Sequence, residues 1–343
     1  MKMWRLATLF TTLALFLSGC GKENTSTLIP KGEVAKMQYD LIMLSLAIMV
    51  LVCVVVTVIF LFVIIKFRQR KGKEDVIPKQ VEGSHTLEII WTVIPIILLI
   101  VLAIPTVTMT FDLADTKEIN KKNSDAVVVD VTAKAFWWEF KYKKDEVVTS
   151  QELVIPVGER VYFKLKGGDI KHSFWVPALG GKMDTNTDNV NEMYLVADEA
   201  GTYQGYCAEF CGPSHGLMQF EVIALPKDEY DQWVQDMKTT KHVAVTAEAQ
   251  AGEELFAKNC LSCHAIEGTD KNPDVAAVAP NLANFGDRNL VGGINKQNEK
   301  NIKEWIANSA KVKPGSKMPS FENLTEEELN ELTAYLMGLK VAK

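Results

Sequence analysis

Two stretches of this chain carry no charged residue: 41–65, 25 residues long, and 89–111, 23 residues long. A helix needs about 20 apolar residues to cross the hydrocarbon core of a bilayer. Both runs are therefore expected to be transmembrane helices. Pro95 and Pro105 fall inside the second run, which membrane helices tolerate because neighbouring groups satisfy the freed carbonyls. The connection between them is expected to be a cytoplasmic loop, 66–88. Its part 66–85 holds six basic residues (Lys66, Arg68, Arg70, Lys71, Lys73, Lys79) against three acidic ones, so the positive-inside rule puts it on the cytoplasmic side. The chain before residue 41 and everything after residue 112 then lies outside.

The N-terminus agrees with that topology. Lys2 and Arg5 precede an apolar stretch at 6–17, and Leu17-Ser18-Gly19-Cys20 follows. This reads as a signal peptide over 1–19. The box resembles a bacterial lipoprotein cleavage site in which Cys20 is lipidated and opens a short extracytoplasmic segment, 20–40. An ordinary signal or an uncleaved anchor is the alternative. The formal charge of −6 comes from 37 Lys+Arg against 43 Asp+Glu. The basic residues form no patch of the kind nucleic acid requires, so a DNA or RNA partner is excluded.

From about residue 125 the texture changes to short β-rich runs, at 126–131, 153–155, 160–165, 193–196 and 218–224, punctuated by Gly and Pro. Such spacing predicts a small antiparallel sandwich or barrel over 125–226. A polar stretch at 227–246 reads as a linker with at most one short helix. From 247 to 343 the pattern is helical, at 249–259, 301–309 and 325–339, with Thr325 and Glu328 spaced as a capping box.

Of the six cysteines, four form two close pairs, each with a histidine nearby. Cys53, in the first apolar run, reads as a buried small hydrophobe. The first pair lies in Cys207-Ala208-Glu209-Phe210-Cys211-Gly212-Pro213-Ser214-His215-Gly216-Leu217-Met218. Two thiolates, an imidazole and a thioether suit a soft metal. With two cysteines both sulfurs can bridge a pair of copper ions in a binuclear centre. A second histidine must come from elsewhere, and His172 follows a Gly-rich turn. A disulfide, a zinc site and a thiol redox pair are the competing readings, none of which calls for Met218.

The second pair is Cys260-Leu261-Ser262-Cys263-His264. Outside the cytoplasm, C-x-x-C-H is the covalent haem c attachment pattern, with Cys260 and Cys263 as thioethers and His264 as axial ligand. Met318, in Lys317-Met318-Pro319, is the candidate sixth ligand.

Together these motifs resemble cytochrome c oxidase subunit 2 in the form with a cytochrome c domain fused at its C-terminus. The resemblance implies a multidomain fold: a two-helix transmembrane hairpin, an all-β cupredoxin-like sandwich and an all-α class I cytochrome c domain. It implies CuA ligands His172, Cys207, Cys211, His215, Met218 and the Glu209 carbonyl, and a magnesium ion reached by the Glu209 side chain. It sets the Pro280 carbonyl to orient the haem histidine. It matches Glu88 to the family's glutamate at the cytoplasmic mouth of a proton channel, although an acid at a helix end also serves as an interfacial anchor. The implied partners are oxidase subunits 1 and 3 and an external electron donor, a cytochrome c or a quinol-oxidising complex. Oxygen reduction coupled to proton translocation falls to subunit 1, since this chain lacks histidine-rich membrane helices. Two positions depart from the family pattern. The aromatic run opens with Phe136 where the family usually has Trp, and Thr187-Asp188-Asn189 stands where it often has Pro-Gly-Arg. A CuA subunit of a nitric oxide reductase, and an extracytoplasmic copper chaperone or thiol oxidoreductase, are the alternative functions.

Overall fold

The computed structural model describes residues 4, 8–12, 22–69, 71–72, 77, 80–122, 124–269 and 278–341. Cys20 and most of the expected signal peptide lie outside the described residues. Two long helices come first, α1 (Glu33–Phe67) and α2 (His85–Leu113). Each extends past its uncharged run, by eight and four residues at the N-terminal ends and by two at the C-terminal ends. At 1.5 Å per residue, the 35 residues of α1 reach about 52 Å, well beyond the ~30 Å hydrocarbon core. Their apolar side chains point outward, as a lipid-facing surface does. Cys53, expected to be buried, is exposed on α1 for that reason. Beside Pro105 in α2, the Thr106 and Thr108 hydroxyls donate to the Leu102 and Ile104 carbonyls over 2.7 and 3.0 Å.

The second compact unit holds the rest of the chain from Thr116 onward together with the segment up to Ala35. Its centre is a sandwich of two five-stranded sheets. One sheet runs β3 (Val147–Ser150), β2 (Trp137–Tyr142), β1 (Val127–Lys134), β5 (Val161–Gly167), β8 (Asn191–Leu195). The other runs β4 (Glu152–Pro156), β10 (Gln219–Leu225), β9 (Gly201–Cys207), β6 (His172–Trp175), β7 (Met183–Thr185). The sheets are not purely antiparallel as expected: β1 pairs with β5, and β4 with β10, in parallel. Alternation puts Trp138, Phe140 and Tyr142 of β2, and Phe220, Val222 and Ala224 of β10, on the inner faces. There Phe174 stacks on Phe220 at 4.9 Å, and Trp138 tilts against Phe220 at 5.1 Å.

The segment leading into α1, together with the first residues of that helix, is stitched to this sandwich. Lys31 N–H donates to the Ala178 carbonyl (2.8 Å), Ala35 N–H to Leu179 (3.0 Å), and Asp198 N–H to Lys31 (2.9 Å). Arg160 grips the Glu33 carboxylate with two N–H groups, at 2.7 and 3.3 Å.

Most of the stretch read as a linker is a helix, α3 (Lys227–Thr239). Tyr230, Val234 and Met237 recur at helical spacing and are buried, Trp233 packs on Tyr142 at 5.4 Å, and Lys238 pairs with Asp145 at 2.8 Å. Only residues 240–246 are left between it and the C-terminal domain, which comprises α4 (Ala247–Asn259), α5 (Glu299–Val312) and α6 (Glu326–Gly338). Helices α4 and α6 pack face to face, with Phe256 on Tyr335 at 5.3 Å and Gly252 tight against the Glu331 carbonyl. The Thr325–Glu328 capping box expected from the sequence is present.

Candidate metal centres

The cysteine pair sits where β9 gives way to a tight loop. Cys207 N–H donates to the Met218 carbonyl (3.0 Å), which closes residues 207–218 on themselves, and Ala208 N–H donates to Ser173 on β6 (2.9 Å). Gly212 has φ +122°, a conformation side chains rarely adopt, and it allows the turn inside the loop. The β6–β9 pairing sets Phe174 opposite Cys207, which brings His172, two residues earlier on β6, to the same end.

The result is one cluster of donors. The Cys207 and Cys211 sulfurs are 3.8 Å apart, well beyond the roughly 2.0 Å of a disulfide bond. Each faces an imidazole Nδ1, Cys207 that of His172 at 3.9 Å and Cys211 that of His215 at 3.7 Å. The Met218 sulfur stands 3.9 Å from Cys211, and the Glu209 carbonyl 3.3 Å from Cys207. His172, Cys207, Cys211 and Met218 are all buried. Burial raises the cost of charge on both thiols. For Cys207 the imidazole of His172 and neighbouring backbone groups outweigh it and bring the thiol down to about 6. Cys211 is pushed up to about 12 by burial and by the charge of Cys207 beside it. One thiolate thus forms more readily than the second, whose charge the first opposes.

His172 is held from behind. Its Nε2 lies 3.0 Å from the Asp169 carboxylate, which also accepts the Ala135 and Ile170 N–H groups, each at 2.8 Å. A carboxylate on the far nitrogen fixes the ring so that Nδ1 faces the sulfurs. Asp169 was not singled out from the sequence, although an acid three residues before a candidate ligand on a turn is a signal for it. Trp138 covers the cluster, its Nε1–H directed at the Met218 carbonyl at 3.4 Å.

The second centre is built at the C-terminal end of α4. Cys263 and His264 N–H both donate to the Cys260 carbonyl over 3.0 Å, and this turn presents all three side chains half-buried. His264 Nδ1 donates to the Pro280 carbonyl at 2.7 Å. Burial lowers the pKa of His264, and that hydrogen bond only partly offsets it. The shift favours the neutral ring, and the Pro280 contact at Nδ1 leaves Nε2 as the nitrogen that could take a metal. Arg288 is buried nearby and donates to the Asn281 carbonyl and the Asn284 side chain. Met318 is half-buried on the loop between α5 and α6. No contact among the described residues joins it to His264.

Glu88 is exposed in the first turn of α2, 3.8 Å from His85 Nδ1. Glu209 has a half-buried side chain and belongs to no cluster of metal-binding side chains among the described residues. Thr187, Asp188 and Asn189 lie in the connection between β7 and β8.

Fold and donor set together define an electron-transfer subunit with a soft-metal loop and a haem-attachment motif. The comparisons with known proteins carry this to a family. Three family descriptions match in order: the transmembrane domain of cytochrome c oxidase subunit II over 30–109, its periplasmic domain over 109–225, and cytochrome c over 249–340. The chain is 57% identical to cytochrome c oxidase subunit 2 of Bacillus sp. (strain PS3), over 98% of both chains. It is 51% identical to cytochrome c oxidase subunit 2 of Bacillus subtilis (strain 168), over 99% of this chain and 98% of the relative. A solved structure, the periplasmic domain of subunit II of cytochrome oxidase of Bradyrhizobium japonicum, is 26% identical with a TM-score of 0.31, covering 32% of this chain and 91% of that one. The chain belongs to the cytochrome c oxidase subunit 2 family, in the form that carries a fused cytochrome c domain. It is a membrane protein with a two-helix anchor and a component of an oxidoreductase complex with subunit partners such as subunit 1. The two domains imply CuA copper and haem, and the donor sets above fit both. Family membership separates the chain from the reductase and chaperone alternatives.

Proposed function

We propose that electrons enter this subunit through the haem-bearing C-terminal domain and leave through the copper-bearing sandwich toward subunit 1, where oxygen is reduced. When bound, the two groups supply one-electron couples, the copper pair spreading the charge change over two ions. His172, Cys207, Cys211, His215, Met218 and the Glu209 carbonyl hold the copper. Cys260 and Cys263 would hold the haem covalently, and His264 and Met318 would ligate its iron. Asp169 and the Pro280 carbonyl orient the two histidines that need a fixed tautomer. The observation that carries the reading is direct contact between the two domains, without an open linker. Val148 N–H donates to the Gly268 carbonyl (3.0 Å), Asn281 N–H to Ser150 Oγ (3.0 Å), and Asn289 N–H to Glu152 (3.1 Å). Contact of this kind supports transfer within one chain, without a diffusing intermediary.

Finer roles follow from the same reading. The basic loop faces the cytoplasm, both metal domains lie outside, and Cys20 carries a lipid. Glu209 extends its side chain to a magnesium ion, and subunit 3 and an external donor complete the assembly. Glu88 collects protons at the cytoplasmic mouth. In Glu88→Ala, turnover should slow while both centres still reduce quickly, and wild-type turnover would return Glu88 to an anchoring role. The purified complex should contain two coppers and one haem c per chain attributable to this subunit. A light pulse that reduces the haem c should be followed by copper reduction in the same molecule. Loss of haem c reduction without any gain in the copper signal would refute the order.

A further inference from the structure

The loop that carries Met318 rests on the loop that carries His215. Ser214 is wholly buried, one residue before His215, and its hydroxyl donates to the Pro314 carbonyl of the C-terminal domain over 2.6 Å. Pro314 lies four residues before Met318. The Phe136 ring, only 7% exposed, lies between a glycine of each domain. A methyl group on Gly212 would stand 3.3 Å from its Cζ, and one on Gly315 would stand 2.8 Å from its Cε2 and 3.2 Å from Pro213 Cγ. Gly315 also has φ +85°, so both its backbone and its closeness to the ring require glycine. The adjacent Lys313 is buried and tied inward, its Nζ donating to the Gly292 carbonyl at 2.9 Å. Lys317 Nζ lies 3.9 Å from the Asp169 carboxylate that holds His172. One short segment, 313–318, therefore touches residues adjoining both histidines of the copper cluster and also bears the candidate haem ligand.

We propose that the Ser214–Pro314 hydrogen bond and the Phe136–Gly315 contact seat the Met318 loop on the copper loop, which makes Ser214 and Phe136 positioning residues for electron transfer between the two domains. The inference rests on the transfer order proposed above. A buried hydroxyl left without an acceptor is costly, so Ser214 favours the seated arrangement over one in which water enters the contact. The Phe136 ring fills the space that the two glycines leave, and both loops close on it there. Because Ser214 is joined to His215 by one peptide bond, a shift of the Met318 loop changes its distance from the copper ligands directly.

The test uses the whole oxidase complex with Ser214→Ala, Ser214→Thr and Gly315→Ala. Three properties are measured: hydrogen exchange in 212–217 and 313–318, the relaxation of the copper EPR signal by oxidised haem c, and the transfer rate after photoreduction of haem c. Ser214→Ala should raise exchange in both segments about two- to tenfold, the range that a net hydrogen bond of 0.5–1.5 kcal/mol implies. It should also weaken the relaxation effect and slow transfer while both midpoint potentials stay put, and Ser214→Thr should restore all three. Gly315→Ala should act in the same direction and more strongly. The substituted residue itself lies in the C-terminal domain, so it carries the test should Ser214→Ala disturb the copper spectrum. Ser214→Ala carries it should Gly315→Ala fail to fold. Wild-type exchange, relaxation and rate in the alanine variants would overturn the proposal. A wrong transfer order leaves a different signature: exchange and relaxation respond to the substitutions, but copper reduction does not depend on haem c.

Discussion

The copper loop and the haem-attachment turn assemble their donors in opposite ways. In the sandwich, donors from one twelve-residue loop and one strand meet in a buried cluster with contacts of 3.3 to 3.9 Å. They sit at the end of a core whose largest side chains, Trp138, Phe140, Phe163, Phe174 and Phe220, are fully buried. The fold makes this site. In the C-terminal domain the donors come from places 58 residues apart, Cys260 and Met318, and His264 is oriented by its hydrogen bond to the Pro280 carbonyl. The core there is small, centred on Phe256, Ile302, Leu332, Tyr335 and Leu339, and Cys260, Leu261, Trp305 and Phe321 contribute only as partly buried edges. A covalently attached haem would add apolar surface and a staple to that core. On this contrast copper would be a guest of its domain, whereas haem would be a structural member of the other.

The largest effect should come from breaking the second half of that statement. Cys260→Ala with Cys263→Ala should abolish the covalent haem spectrum and also the cooperative thermal transition of the C-terminal domain. A domain that keeps its helical signal and its transition without attached haem would make the two regions alike. Cys211→Ser should sharpen the first half. A hydroxyl cannot bridge two copper ions as a thiolate does, so the mixed-valence EPR signal should vanish while the sandwich keeps its fold by circular dichroism. An unchanged copper spectrum would sink the cluster assignment.

A smaller effect is expected at the seam. Glu152 of the sandwich is buried, and burial raises its carboxyl from the ordinary 4.5 to about 7, despite the opposing pull of Arg288 and the Asn289 N–H; Glu221 and Asp287 push it further up. A raised carboxyl pKa favours the folded state fully below the unfolded value, and that contribution is lost as pH rises through the folded one. The thermal midpoint of the unit holding both domains should therefore fall between pH 5 and pH 8. Arg288, whose pKa burial lowers to about 10, stays charged across that window. Glu152→Gln, neutral throughout, should flatten the dependence. An equal slope in the variant would assign it to another group.

Much of this was legible from spacing alone. The two charge-free runs announce α1 and α2, and the C-x-E-x-C-x₃-H-x₂-M string holds most of the copper cluster in one loop. The C-x-x-C-H motif marks the turn after α4, and Thr325 with Glu328 marks the start of α6. What was not legible depends on long-range pairing. The parallel partners β1/β5 and β4/β10 are separated by intervening strands, so local alternation carries no trace of them. The length of α3 is hard to see within the stretch 227–246 because its apolar residues, Tyr230, Val234 and Met237, are few among charges, and packing on the sandwich reveals their common face. The seam between the domains uses glycines, Ser150, Ser214 and Pro314, residue types that read as loop in any sequence.

The central claim is that electrons reach copper through the fused domain. Deleting residues 247–343 and supplying the remaining complex with its reduced physiological donor tests this most directly. The account predicts that turnover collapses while the copper centre stays intact by EPR and remains reducible by small mediators. Full-rate turnover from that donor in the truncated complex would contradict it and leave the fused haem an accessory.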